Sequence, residues 1–337
     1  MPELTPIAAL ARAFGNAGTF GEKRADMAVA DLASGGLLSP TQRKPFLKGI
    51  YQATPIWDLV TKETMVAPQH EISRLSMGGR ILKKPPTENA EVGSSQKVKP
   101  TTGKTSLSTH QLVGEAVISY RVIMQNIDKE GFVEEVLAEI ANQCGVDLAV
   151  TLMQGDTSLN LNVSDDQDAL AQLDGWIVQA LADGHTYDAQ NANVDADLLA
   201  AIYESMPGKY IQNSALKMSF LAQYNLGLNW RRQFGRRQTM GGDDILQHAE
   251  KAPPFWGRPI LESQEIGTYT NAGETCGYIL FTDPKNLVAG IHENIRIRVV
   301  DWPPTRSVRI FVEVEVDAGF QRPDAVVIAE NVALLAA

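Results

Sequence analysis

Cysteine is nearly missing from this 337-residue chain: Cys144 and Cys276 are the only two, far apart in sequence. Two such residues make neither a zinc-type ligand spacing nor a disulfide framework, so the simple expectation is folding in a reduced, intracellular setting. Met1–Asn16 contains Arg12 and no continuous apolar core of a signal peptide. The sequence shows no run of about 20 apolar residues, which predicts that nothing spans a membrane. A soluble product of a cytoplasm is expected. Positive charge is also short. A net charge of −10 argues against a dedicated nucleic-acid-binding surface, because phosphate neutralisation needs clustered Lys and Arg.

Catalytic patterns are missing too. The chain has no G-x-x-x-x-G-K-S/T, G-x-S-x-G or H-E-x-x-H, and no G-x-G-x-x-G after a strand. His70, His110, His185, His248 and His292 share no spacing that suggests a metal or a triad, and read as surface or lightly buried residues. Asp165-Asp166 and Asp243-Asp244 lie in polar turns, where capping explains them better than acid–base chemistry. Met240-Gly-Gly-Asp-Asp244 is too weak a pattern for a phosphate or metal loop. Arg231-Arg232-Gln-Phe-Gly-Arg236-Arg237 could meet nucleic acid, but a solvated or intersubunit role suits four arginines and one aromatic better. The aromatics of Pro254-Phe-Trp256 read as core or hinge packing. The sequence thus points to no enzyme, no cofactor, no metal and no catalytic residue.

What is present is a core's worth of apolar residues and a strongly patterned chain. Hydrophobic residues make up 44%, enough for a sizeable core, and 17 prolines with 27 glycines imply many turns. Residues 1–48 are rich in small residues. They read as an arm with local helix around Ile7–Phe14 and Lys23–Leu32, the alternative being a floppy terminus. Phe46, Ile50, Trp57 and Val60 mark an anchored, helical segment broken near Thr54-Pro55. Met65–Leu82 and Ser106–Val122 read as extended, with a bulge or twist at Gly78-Gly79. Between them lie residues 85–104, whose only large apolar side chains are Val92 and Val98. A polar loop of that length inside a compact domain is uncommon and usually functional or disordered, so a protruding hairpin is expected.

The spacing of Phe132, Val136, Ile140, Cys144, Leu148 and Leu152 predicts a helix over Asp128–Gln154, roughly 40 Å long, with acids at its N-terminal end and Gly155 as its stop. Residues 160–290 read as an α/β lobe. Its expected helices are Asp168–Ala182, Ala196–Ser205 and Leu221–Arg232. Its expected strands are Ala215–Ser219, Tyr278–Phe281 and Leu287–Ile291. Near the C-terminus two alternating runs flank the turn Trp302–Ser307. Pairing apolar residues across this hairpin sets Ile297 against Val312, Ile295 against Val314 and Arg296 against Glu313. Ala325–Ile328 reads as a last short strand.

Charge is divided unevenly. Residues 72–110 hold seven basic side chains and two acids, while residues 128–156 hold seven acids against Lys129. Each can be read as a solvated face. Their opposite signs suggest association, the hairpin of one copy over the helix of the next. Candidate contact residues are Arg80, Lys83, Lys84, Lys97, Lys99 and Lys104 on the arm. On the helix they are Glu130, Glu134, Glu135 and Glu139.

The order of these pieces carries a family resemblance. Leu37-Leu-Ser-Pro-Thr-Gln-Arg-Lys-Pro-Phe-Leu-Lys…Gln52-Ala-Thr-Pro-Ile-Trp-Asp-Leu-Val60 precedes the hairpin, the long helix, the α/β lobe and the closing β-hairpin. Met206-Pro-Gly-Lys-Tyr…Asn213-Ser-Ala-Leu-Lys-Met218, Pro254-Phe-Trp-Gly-Arg-Pro-Ile260 and Phe320-Gln-Arg-Pro-Asp-Ala-Val-Val-Ile328 add local matches; the first resembles a proline-led strand. Over about residues 37–330 the chain resembles the major capsid proteins of tailed phages, with the Hong Kong 97-type shell fold. The resemblance implies an α+β chain with an N-arm at 1–48, an anchored segment at 49–65 and an extended-loop hairpin at 66–122 with its tip at 85–104. It further implies a peripheral domain at 123–157 and 291–337 and an axial domain at 158–290. It implies hexamers and pentamers of one chain forming an icosahedral shell around double-stranded phage DNA. Scaffolding, portal and decoration proteins are the further partners it implies, and no membrane. Trp302, Pro303, Pro304 and Arg306, in the turn between the closing strands, are implied contact residues.

Some members of that family join neighbours through a Lys–Asn isopeptide bond. Residues 302–307 contain no Asn, which predicts non-covalent clasping. An encapsulin-like shell is a second reading within the fold, though encapsulins typically begin with a cargo-facing helix and this chain has an arm. A soluble α+β enzyme or ligand-binding protein, with 85–104 as a mobile loop, is a third reading from another class.

Overall fold

The structure, a computed structural model, describes residues 55–77, 82, 97–125, 130–161, 164–213, 215–236 and 252–334. The expected N-arm helices, the segment before Pro55, the Gly78-Gly79 bulge, residues 83–96 and Met240–Asp244 lie outside the described residues.

In chain order the elements are α1 (Pro55–Leu59), β1 (Thr61–Met65), β2 (Gln69–Met77), β3 (Pro100–Ser108), β4 (His110–Ser119), α2 (Tyr120–Gln125) and α3 (Glu130–Gln154). The lobe follows with α4 (Asp165–Leu170), α5 (Trp176–Asp183), β5 (His185–Asp188), α6 (Ala196–Ser205), α7 (Gly208–Ile211), β6 (Ser219–Gln223) and α8 (Tyr224–Gly235). The last strands are β7 (Ile260–Ser263), β8 (Thr268–Asn271), β9 (Glu274–Thr282), β10 (Leu287–Trp302), β11 (Ser307–Phe320) and β12 (Val327–Ala333).

Two sheets carry the body. A four-stranded sheet runs β1-β10-β11-β4, and a larger one runs β5-β12-β9-β6-β7 with β8 on β9. The larger sheet is buried on both faces, and the side-chain alternation of its strands shows why. Phe220, Ala222, Ile279, Phe281, Val327 and Ala329 point into a core with Leu199 and Ile202 of α6 and Leu226 and Trp230 of α8. Their neighbours Leu221, Leu280, Val326 and Ile328 point the other way, onto Trp176, Ile177, Leu152 and Phe320. The expected last strand thus belongs to the larger sheet, because its continuous apolar run can be satisfied only between two layers.

β11 is one-sided by contrast. Val308, Ile310, Val314 and Val316 are buried and alternate with half-buried Arg309, Phe311, Glu313 and Glu315. Its pairing with β10 sets Arg296 opposite Glu313 and Ile297 opposite Val312, as the alternation predicts. The register shifts between His292 and Arg296, and the expected pairing of Ile295 with Val314 lies outside the described residue pairs.

Helix α3 ends where expected, at Gln154, while the expected start at Asp128 lies outside the described residues. Val136, Leu137 and Ile140 pack on Ile118, Val122, Val308 and Ile310; Leu148, Leu152 and Met153 pack on Trp176, Leu173 and Val316. Val136–Gln154 is long and apolar enough, by length and composition alone, to cross a membrane. The segment is not a continuous apolar run, since Glu139 and Asp147 interrupt it, and its apolar residues serve two cores.

Four other expectations shift. Asp168–Ala182 is two helices, broken at Gly175: a β-carbon there would lie 2.7 Å from Gly155 N and 2.8 Å from the carbonyls of Leu152 and Met153, so α3's end excludes a side chain. Ser106–Val122 is not continuous. Thr109 N bonds Pro68 O at 2.9 Å, which releases β3 to pair with β2 and β4 with β11, and Tyr120 begins a short helix. The strand expected at Ala215–Ser219 starts at Ser219 and displaces the following helix to Tyr224. Lys217 N is held instead by Asp283 Oδ2 at 2.9 Å. The proline-led stretch after Met206 forms the turn of helix α7, not a strand.

Candidate assembly surfaces

β2 and β3 pair antiparallel over nine residues, from Gln69 opposite Ser108 to Met77 opposite Pro100, and form a two-stranded sheet of their own. The hairpin is rooted by Leu107, which is fully buried with Met65 and Val288. Two glycines make its socket. A β-carbon on Gly319 would lie 2.5 Å from Leu107 Cδ2, and one on Gly290 would lie 2.7 Å from Met65 Sδ. Ser108 N donates to Asp317 Oδ2 at 2.6 Å, tying the root to β11. Burial pushes the Asp317 carboxyl above the usual range, against the two backbone amides, of Ser108 and Ala318, that hold it down.

Further out, the hairpin's charges are engaged in the same chain. Lys104 pairs with Glu71 across the two strands. Arg74 lies over Gly103, its strand partner, and reaches Asp324 at 3.7 Å. Asp324 sits on the short 3-10 turn Pro323–Ala325 between the two sheets, and also accepts from Lys209 Nζ at 3.1 Å and from Tyr210 Oη, both on α7. Burial would raise the Asp324 pKa, but the hydrogen bonds from Tyr210 and Lys209 outweigh it and hold the carboxyl below its ordinary range. Hydrogen bonding to Tyr210 and then to Asp324 raises Lys209. One carboxylate thus joins hairpin, sheet junction and lobe, across an open cleft also lined by Thr101, Lys104 and Asp174.

Of the expected arm residues, Lys97, Lys99 and Lys104 are exposed, whereas Arg80, Lys83 and Lys84 lie outside the described residues. Glu130, Glu134 and Glu135 occupy the first turns of α3, and Glu139 is exposed one turn on. In the closing turn Trp302, Pro303, Pro304 and Arg306 are all exposed. Pro303–Thr305 is a 3-10 turn and Arg306 takes a left-handed conformation with φ 51°. Tyr120 N bonds Arg306 O at 3.0 Å, and the Arg309 guanidinium lies 5.0 Å from the Trp302 ring while donating to Glu115 at 2.9 Å. The turn is thus tied to its neighbours on both sides and presents an indole, 42% exposed.

In the arginine cluster, Arg231 pairs with Glu262 at 3.0 Å within the lobe, and Arg232 and Arg236 are exposed. The cluster around Asp324 and the glycine socket were not read from sequence. The only signal was the acid after a proline in Pro323-Asp324.

The phage capsid family model matches residues 34–331, most of the chain. The chain belongs to the phage capsid family. A Bacillus subtilis (strain 168) protein named as a prophage capsid protein, YqbE, is 29% identical over 309 residues, covering 90% of this chain and 95% of that one. Among solved structures, the capsid of a native GTA particle superposes with a TM-score of 0.61 at 15% identity, over 92% of this chain and 100% of that one. A Gordonia phage Cozz chain does so at 0.59 and 15%, over 93% and 98%. The SrpI encapsulin of Synechococcus elongatus PCC 7942 does so at 0.57 and 13%, over 92% and 98%. The fold is α+β of the Hong Kong 97 type. As a phage capsid protein the chain is a structural component of the virion and not an enzyme, and its shell is built from many copies of itself.

Proposed function

We propose that this phage capsid protein assembles as hexamers and pentamers into the icosahedral head shell that encloses double-stranded DNA, and that its basic hairpin clasps a neighbour's acidic helix without a covalent link. In this reading residues 1–48 are the N-arm, 49–65 the anchored segment and 66–122 the extended loop. Residues 123–157 with 291–337 form the peripheral domain, and 158–290 the axial domain. Trp302, Pro303, Pro304 and Arg306 meet further copies. Scaffolding, portal and decoration proteins act beside the shell.

The observation that carries the clasp is the outer part of the hairpin, whose two strands pair only with each other. A two-stranded ribbon is marginal by itself in water, yet this one exposes Leu75 at 73% and Met77 at 53% together with Lys97 and Lys99. Such a surface gains from lying on another molecule, and exposed Glu139 with the acids at the head of α3 offers opposite charge.

The test is electron microscopy of the purified full chain with and without co-expressed partners. Closed shells with pentameric and hexameric clusters are expected. A monomer or small dimer in every condition, crowding agents included, overturns the proposal. The encapsulin-like reading is kept in view by the SrpI fold likeness; shells filled with a protein cargo and free of DNA would favour it.

A further inference from the structure

Trp256 stands in a backbone conformation that its side chain disfavours. Phe255 N bonds Arg258 O at 2.9 Å and Arg258 N bonds Phe255 O at 2.8 Å, closing a two-residue turn around Trp256 and Gly257. Both central residues have positive φ, 48° and 75°. That is the mark of a type I′ turn, whose first central position is ordinarily Asn, Asp or Gly. A bulky residue held there is an outlier, and such strain concentrates at functional sites.

The fold gains little in exchange. The Trp256 ring is 59% exposed. It stacks on Phe255 with centroids 4.6 Å apart and meets Tyr203 edge-on at 5.3 Å. Phe255 is itself buried and already closes the core by packing on Phe220 and Trp230. Trp256 is therefore the outermost ring of an aromatic series whose inner members seal the lobe without it.

The sequence block that includes the neighbouring helix α8 is basic. From Ser205 to Gly242 the chain has six basic residues and no acid, within a total of −10. Arg232 on α8 and Arg236 at its C-cap are exposed, and α8 is fastened to the segment before the turn by Trp230 Nε1 donating to Pro253 O at 2.9 Å. Arg258 leaves the turn to donate to Ile211 O at 3.1 Å. Trp and Arg are the residue types that dominate binding energy at protein interfaces. The surface complementary to a basic, aromatic knob is acidic and partly apolar, and the remainder of this chain carries −16 once that block is set aside.

We propose that Trp256 is an intersubunit anchor that inserts into the acidic face of a second copy of this chain, with Arg232 and Arg236 as its ionic rim. The proposal rests on the shell-assembly reading. It separates fold stability from assembly, so one substitution tests it. Trp256→Asn gives the turn its preferred Asn-Gly pair. The unassembled subunit is expected to melt at the same or a higher temperature, while the concentration needed for assembly of the purified protein rises by about tenfold or more. Trp256→Phe is expected to fall between Asn and wild type. A lower melting temperature for Trp256→Asn would assign the ring to the fold and overturn the proposal, as would unchanged assembly. Should the wild-type protein form no shell in any condition, the assembly reading fails first, and that result is distinct from two proteins that assemble equally well.

Discussion

Leu107 occupies the space that a side chain on Gly319 would need: a β-carbon there would lie 2.5 Å from Leu107 Cδ2. Leu107 is fully buried, and its other methyl lies 3.1 Å from where a β-carbon on Gly290 would sit. The root of the hairpin is thus gripped from two strands at once, β10 and β11.

Gly319→Ala is therefore expected to force Leu107 out of its position and to lower subunit stability by about 1–3 kcal/mol, the usual range for overpacking. Denaturant unfolding checks this. Unchanged stability would mean that the socket has slack which the close approach denies.

Trp176 is the second tie to the same strand segment. It is fully buried, and its Nε1 donates to Gly319 O at 3.0 Å and to Val288 O at 3.3 Å. Trp176→Phe removes the donor and leaves a void between the sheets, with an expected loss of about 2–4 kcal/mol. Thermal or chemical unfolding reads it, and a loss within error of zero would count against a role for the indole N–H.

Asp324 predicts a pH signature. Its folded pKa lies below the ordinary carboxylate value, so its contribution is present above the unfolded pKa and fades as pH falls through the folded one. Asp324→Asn is expected to cost under about 1 kcal/mol at neutral pH, since the group and its partners are partly exposed. That difference from wild type should begin to shrink below about pH 4 and vanish only once pH has fallen through the lower, folded pKa. A difference that persists undiminished in acid would show that packing, not charge, accounts for Asp324.

Charge reversal of Lys97, Lys99 and Lys104 to Glu tests the clasp. Assembly should weaken sharply, and wild-type assembly should weaken with rising salt because exposed pairs are screened. Lys104 also pairs with Glu71 of its own hairpin, so Glu71→Lys combined with Lys104→Glu serves as the control that keeps that pair. Shells of unchanged yield and stability from the triple variant would exclude electrostatic docking of the arm.

Legibility followed burial on one face. The β10–β11 register was readable because a slip would set isoleucines against carboxylates, and Arg296 does oppose Glu313. Helix Ala196–Ser205 was readable to the residue because local signals frame it: the side chain of Asp195 caps Leu198 N and Pro207 follows. Where sequence reading slipped, the cause was a distant partner. Gly175 breaks a helix because the end of α3 is there, and Ser219 begins a strand because Asp283 holds Lys217. The Asp324 cluster draws on residues 74, 209, 210 and 324, which no local pattern connects. Family resemblance supplied the purpose of the hairpin; the residues supplied its charge and exposure.

β1, the first described strand, lies parallel to β10, with Thr61 beside Val288 and Met65 beside His292. Its partner is translated more than 220 residues after it. While the chain is still on the ribosome, Met65 and Leu107 have no Val288 to close against, and the hairpin has no fixed angle at which to meet another copy. The surface proposed to join subunits therefore takes its shape only after Val288 has been added to the chain, well after the hairpin itself.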